Sequence, residues 1–298
     1  MTQSFASPQV VCRPALSRDY ADIVEFCKGI WDGGDYVPYV WRHWFKDPNG
    51  TLVTAEYNGH AIGCGKLTLL AEGQWWLEGF RVDPNHQGLK VGSRIHNYLT
   101  DWWQERGDGT VRLMTSSQNF PVHHLCDKTG YAKTHEVCGY KAVPVDEPID
   151  TVSLITDAQE AAALSLASES LQLTGGRIDL GWRICTLTEQ VIKNYSTEKM
   201  GFTHIFHWWG DKQGLFSTWD DEEDDKRTLG VGPVACSLED MPALLTDIRR
   251  LAGREKYDEV FHIIFDLPQI AHQMEAAGFV KHWDHNAFIF EKRHPVRA

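Results

Sequence analysis

Residues 81–95 read RVDPNHQGLKVGSRI: the end of a strand, a turn, and a short loop with glycines at 88 and 92 that runs into an apolar-periodic segment. A helix that starts behind such a loop presents unpaired backbone N–H groups and the positive end of its dipole, which together suit a pyrophosphate. The stretch predicts a strand feeding an anion-binding helix N-terminus. Lys90 stands where a tighter version of the loop would carry another glycine.

Upstream, DYADIVEFCKGIW and YVWRHWFKD have helical periodicity, and TLVTAEYNGHAIGCGKLTLL gives two strands joined at Asn58 and Gly59, a hairpin signal. QWWLEGFRV is the strand that enters the loop. Alternation places Trp76, Glu78, Phe80 and Val82 on one face and Trp75, Leu77, Gly79 and Arg81 on the other. Downstream come a helix over GSRIHNYLTDWWQERG, a strand over VRLMTSS, a helix over PVHHLCDKTG and a closing strand over THEVCGYKAV. The predicted order is ααβββαβαβ.

GYAK at 130–133 returns as GFVK at 278–281, 148 residues later. The same shift carries VRLMTSS at 111–117 onto EVFHIIF at 259–265, and HNYLTDWWQ onto LLTDIRRLA. A duplicated α/β unit follows, of the α+β mixed-sheet kind, each half a mostly antiparallel sheet flanked by helices. KAVPVDEPIDT, with two prolines and three acids, is the expected linker, which sets domains at 1–146 and 147–298. Beyond it TDAQEAAALSLASESL is expected as one helix. Under the shift, Gln87, Gly88 and Gly92 fall on Ala235, Cys236 and Asp240. An acid at a helix N-terminus competes with a phosphate, so the second copy is expected to have lost the loop and one cofactor is expected per chain.

With 298 residues, 42% of them hydrophobic, the chain can bury a sizeable core. Its formal net charge of −12 argues against a general nucleic-acid or membrane-surface binder. No apolar run reaches the ~18 residues that span a bilayer, and MTQSFASPQVVCRP has neither a charged n-region nor an apolar h-region, so a cytoplasmic location is the default. The seven cysteines never form C-x-x-C and signal neither a disulfide framework nor zinc. The acidic run from Asp220 to Asp225 is expected as a solvated loop. His204 and His207, three apart on an expected strand, point to opposite faces and do not share a metal. The Trp pairs at 75/76, 102/103 and 208/209 are expected to fill cores.

The element order together with V-x-P-x-x-Q-x-x-x-x-G, seen as Val82, Pro84, Gln87 and Gly92, resembles the GNAT superfamily of N-acetyltransferases over residues 10–143. GIWDGGDYVP at 29–38, WFKDPNGTLV at 44–53 and LEGFRVDP at 77–84 are similar to its histidine N-acetyltransferase-like branch, whose members also carry a degenerate second GNAT half. The resemblance implies a tandem GNAT-like fold and acetyl transfer from acetyl-CoA, a co-substrate, to a primary amine of a small-molecule acceptor, histidine being the first to try. No metal is implied. Gln87, Gly88, Leu89, Lys90, Val91, Gly92 and Ser93 would hold the pyrophosphate, and Asn119 the pantetheine arm. A bulge in QWWLEGFRV would free backbone groups near Phe80, Arg81 and Val82 for the pantetheine and the thioester oxygen.

Glu78, close to that splay, is the candidate base, directly or through a water, with a structural salt bridge as the competing reading. Arg81 can clamp an acceptor carboxylate, and Asp35 and Tyr36 would face the acceptor's other end. Where many family members place a Tyr as general acid for the thiolate, this chain has Cys126, which leaves that role to His123, His124 or solvent. The alternative to an enzyme is a non-catalytic acyl-CoA-binding protein that recruits a partner through its second half.

Overall fold

The structure is a computed structural model and describes residues 9–30, 33–197, 203–223 and 226–294. The chain begins β1 (Val11–Pro14), α1 (Asp19–Cys27), α2 (Val37–Lys46), β2 (Thr51–Tyr57), β3 (His60–Ala71), β4 (Gln74–Val82), α3 (Val91–Arg106), β5 (Thr110–Ser116), α4 (Phe120–Lys128) and β6 (Ala132–Ala142). It continues β7 (Val152–Leu154), α5 (Ala158–Ala167), α6 (Glu169–Leu173), β8 (Arg177–Asp179), β9 (Ile184–Thr186), α7 (Glu189–Tyr195) and β10 (Ile205–Trp209). The last elements are β11 (Gly214–Glu223), β12 (Lys226–Ala235), α8 (Met241–Arg254), β13 (Glu259–Phe265), α9 (Pro268–Ala276), β14 (Val280–Lys281) and β15 (Ala287–Arg293). Among the described residues no helix is long and apolar enough to cross a membrane.

The predicted ααβββαβαβ order is present behind an additional strand, β1, which pairs antiparallel with β2. Four residues ending in proline carry little strand signal. What fixes β1 is Arg13, whose guanidinium bonds Asp19 at the start of α1 and Glu56 on β2. The single helix expected over 156–171 is broken: Ser168 is extended at φ −70 and ψ 149, ending α5 and capping α6. Of the acidic run, Asp220–Glu223 belong to β11 rather than to a loop, and Asp224 and Asp225 lie outside the described residues.

Packing groups the chain into two units, one of residues 9–69, 73–111 and 293–294 and one of residues 70–72 and 112–292, among those described. In the first unit the strand order is β1-β2-β3-β4. Asn58 and Gly59, at φ 52 and φ 85, make the tight left-handed turn of the β2–β3 hairpin. On one face α1 and α2 bury Ile23, Phe26, Trp41 and Trp44 against Leu52 and Cys64. On the other, Gly65 lacks the Cβ that would run into Ile95, so α3 lies close on β3.

In the second unit the order is β15-β6-β13-β12-β11-β10-β7. β13 is antiparallel to β6 and parallel to β12, and β15 is antiparallel to β6. β5 neighbours β15, not β6. Shifted by 148 positions, α4 at Phe120–Lys128 lands on α9 at Pro268–Ala276, and β5 lands within one residue of β13. The equivalent strands are therefore exchanged: β15 pairs with β5, and β6 pairs with β13. For this reason packing does not divide at 146/147, although residues 143–151 contain no helix or strand. Arg112 and Glu291, both buried, meet at 2.8 Å across the β5–β15 junction.

Candidate active site

Strand β4 does not keep the simple alternation of its sequence. Trp75 packs edge-on against Trp102 of α3, yet Phe80, of opposite parity, also faces α3, against His96. The change of side occurs at Gly79, which has φ +66 in the middle of the strand. Glycine is required there twice over, for the left-handed backbone and because a Cβ would overlap the Trp44 indole. The consequence corrects the expected faces. Glu78 accepts a 2.6 Å hydrogen bond from Thr68, on the β3 face that carries Cys64 and Lys66, whereas Arg81 reaches Asp35 ahead of α2. The kink thus brings Glu78 and Arg81 to the α1–α2 side together, and turns Phe80 and Val82 toward α3.

Arg81 and Asp35, expected to face an acceptor separately, hold each other. Nε donates to Asp35 Oδ2 at 2.6 Å and Nη2 to Oδ1 at 3.1 Å, the parallel pair typical of a guanidinium on a carboxylate. Burial works against the charge on Arg81, and the bonds from Asp35 outweigh it, so its pKa is raised. Asp35 also accepts from Val37 N at 3.0 Å and so fixes the start of α2. The Arg81 guanidinium lies over the Tyr36 ring at 5.2 Å, and Tyr36, 41% exposed, meets Trp44 edge-on. Behind them Cys27 is pushed up to about 12 by burial and by Asp35, which leaves it an inert thiol.

Two groups on this face escaped the sequence reading. Thr68 is the partner of Glu78, and fully buried Lys66 bonds Asp47 at 2.5 Å and the Leu67 carbonyl at 2.9 Å, closing the end of α2. The hairpin signal located β3 but says nothing about which of its polar residues point inward.

The loop after β4 begins with a single helical turn over Pro84–His86, stabilised by Asp83 accepting from Asn85 N. Gly88 has φ +86, and Lys90, the residue before α3, is left-handed at φ 55 and ψ 32. A right-handed backbone would have explained why lysine replaces glycine here without cost; the observed backbone is the one that favours glycine. Gln87, Gly88 and Lys90 are exposed, Leu89 is half-buried, and Val91 is buried. Gly92 and Ser93 lie in the first turn of α3, which contains no acid. Its first N–H groups sit where helices leave them without intrahelical partners.

Other expected residues fall in the second unit. Asn119 caps α4 by position and donates to Thr115 Oγ1 at 3.0 Å. Cys126 is fully buried and pushed up to about 12 by burial and Asp127, so it is a poor proton donor. His123 donates to the Ser116 carbonyl at 3.0 Å and packs on Phe120, Phe288 and Phe290; His124 is exposed. His204 and His207 go to different partners, Ser217 and Thr218. Trp208 and Trp209 are buried; in the first unit Trp75, Trp76 and Trp103 are buried and Trp102 is half-buried.

Residues 18–131 match the acetyltransferase (GNAT) family, and this stretch is a GNAT acetyltransferase domain. Among curated proteins, the human "Probable N-acetyltransferase 16" is 28% identical over 127 residues, 40% of this chain and 34% of that protein. "Histidine N-acetyltransferase" of Oreochromis niloticus is 27% identical over 93 residues, 31% of this chain and 28% of its own. The alignments thus span about a third or less of these relatives' length. A solved tandem GNAT protein from the clavulanic acid biosynthesis pathway superposes over 97% of this chain and 100% of its own, with a TM-score of 0.62 and 12% identity, which shows a shared fold.

Proposed function

We propose that this chain is an acetyl-CoA-dependent N-acetyltransferase that acts on a primary amine, the α-amine of histidine or another small amino acid, and that its second half is a degenerate copy without a cofactor. The observation that carries the reading is the kink at Gly79. It puts a carboxylate, Glu78, on the α1–α2 side while turning the end of the same strand toward α3. Acyl transfer needs both, an acceptor side with a base and a donor side with free backbone groups.

In this reading Gln87, Gly88, Leu89, Lys90, Val91, Gly92 and Ser93 cradle the pyrophosphate, and backbone groups of Phe80, Arg81 and Val82 take the pantetheine and the thioester oxygen. The amine nitrogen attacks the thioester carbon, the C–S bond breaks, and the amine proton passes to Glu78 directly or through water. The thiolate takes its proton from solvent, because Cys126 is buried with a raised pKa. The fork of Arg81 is engaged by Asp35 and its Nη1 by the Phe80 carbonyl, so an acceptor carboxylate would meet Tyr36 rather than a vacant guanidinium. The relatives named histidine N-acetyltransferase support the acceptor class.

Two measurements test the proposal. Calorimetry should find one acetyl-CoA per chain, and two equal sites would contradict a degenerate second half. Thiol release should be stimulated by histidine or a related amino acid within a panel of amines. Binding without stimulation by any amine would favour an acyl-CoA-binding regulator, the reading to which buried Cys126 lends weight.

A further inference from the structure

We infer that in the second half the chain's own segment Ser168–Leu173 occupies the gap that a cofactor would enter, as a built-in plug between β12 and β13. The inference rests on the second half being a degenerate copy of an acetyl-CoA-binding unit.

The gap is visible in the strands. β12 runs to Ala235, but its pairing with β13 covers only Thr228–Val231. On its other side the register with β11 slips between Val231 and Val234, an extra residue at Gly232–Pro233. Gly232 stands three positions before the end of β12, as Gly79 does before the end of β4.

What fills the gap comes from the break at Ser168, which swings the chain out of α5. Ser170 Oγ donates to the Val234 carbonyl at 3.0 Å and accepts from Cys236 N at 3.1 Å, and Ser170 N donates to the Cys236 carbonyl at 3.2 Å. One serine therefore satisfies three backbone groups at the end of the strand. Its neighbour Glu169 accepts from Leu238 N at 2.9 Å, which sets a carboxylate in the connection to α8, where the other half has its glycine-bearing loop. Between plug and strands remains a cavity of about 40 Å³, lined by Ser170, Asp179, Gly232, Pro233, His262 and Ile264. That volume holds about three waters.

The segment imitates a ligand chemically as well as sterically: a small polar group bonds the strand's backbone, and an anion is bonded by an N–H ahead of the helix. A half filled in this way has these backbone groups bonded without acetyl-CoA.

Hydrogen exchange on the intact protein tests the plug. The amides of Cys236 and Leu238 should exchange as slowly as those of β13, equally with and without acetyl-CoA. Exchange at loop rates would overturn the plug. In the same experiment acetyl-CoA should protect the amides of Val91, Gly92 and Ser93, and loss of that arm alone would sink the cofactor assignment of the first half instead. A second test opens the gap with Glu169→Gly, Ser170→Gly and Leu171→Gly together. Millimolar pantetheine should raise the melting temperature of this variant by several degrees more than that of the wild type, in which only the first half can take it. No difference between the two would count against a cofactor-shaped gap.

Discussion

The connections from β4 to α3 and from β12 to α8 have the same parts and different contents. Each strand is irregular three positions before its end, β4 by the left-handed Gly79 and β12 by the register slip at Gly232, and feeds a helix of 14 residues or more. From Val82 to Val91 there are nine positions, containing Gly88 and left-handed Lys90, with no acid in the first turn. From Ala235 to Met241 there are six, with Asp240 at the cap bonded to Ser237 and the Glu169 carboxylate already in place. The helix dipole is common to both, so it does not by itself decide whether an anion binds; in the proposed reading the three extra residues and the absence of an acid from the first turn of α3 do.

Five changes probe that contrast, in falling order of effect. Asp35→Ala leaves the Arg81 cation largely buried without its carboxylate, and should cost about 3–5 kcal/mol in denaturant unfolding. A loss below ~1 kcal/mol would mean that Arg81 finds water and that the pair is no floor for the first site.

Acid should strike the second unit. There His204, His207 and His262 are buried and lowered to about 3, 4 and 4 by burial, with Arg183 and Arg254 adding to the first two. A histidine whose folded pKa lies below its unfolded 6.5 stabilises above that value, and the contribution is lost as the pH falls toward the folded pKa. Asp179, raised to about 8 by burial, runs the other way and regains stability on acidification. His135, lowered by burial and by Arg177, adds to the three rings, and together they outweigh Asp179, so stability should fall between pH 7 and 5. Urea midpoints across this range should show it, and a flat profile would contradict the burial of these rings.

Glu78→Gln removes basicity and keeps the shape, so turnover should drop about 100-fold with acetyl-CoA affinity unchanged. Near-normal turnover with a lower melting temperature would make the Thr68–Glu78 bond purely structural. Lys90→Glu puts an anion in the first connection, in the manner of the second, and should weaken acetyl-CoA about 10-fold, less at high salt. Unchanged affinity would place the phosphates elsewhere. Smallest is Lys90→Gly, which relieves a left-handed lysine and should add about 1 kcal/mol of stability without weakening the cofactor.

Where local chemistry decides, the sequence was a good guide. β4 spans the predicted QWWLEGFRV, Asn58–Gly59 makes the hairpin turn, and the 148-residue shift superposes α4 on α9. What stayed hidden depends on partners distant in the chain. Gly79 looks like an ordinary strand residue until Trp44 lies against it, and without its kink Glu78 and Arg81 seem to face opposite ways. The turn at Ser168 competes with a run of helix formers and is held by Val234 and Cys236, more than sixty residues away. Nor does periodicity say which of two similar strands will sit beside which sheet.

That last ambiguity bears on biosynthesis. Because β15 lies between β5 and β6, Arg112 meets Glu291 across 179 residues of chain. A ribosome releases β5 long before β15 exists, so this edge must wait, open to wrong partners, until the chain as far as β15 has emerged. A nascent chain stopped at the linker would be an incomplete sheet rather than a working acetyltransferase awaiting its companion.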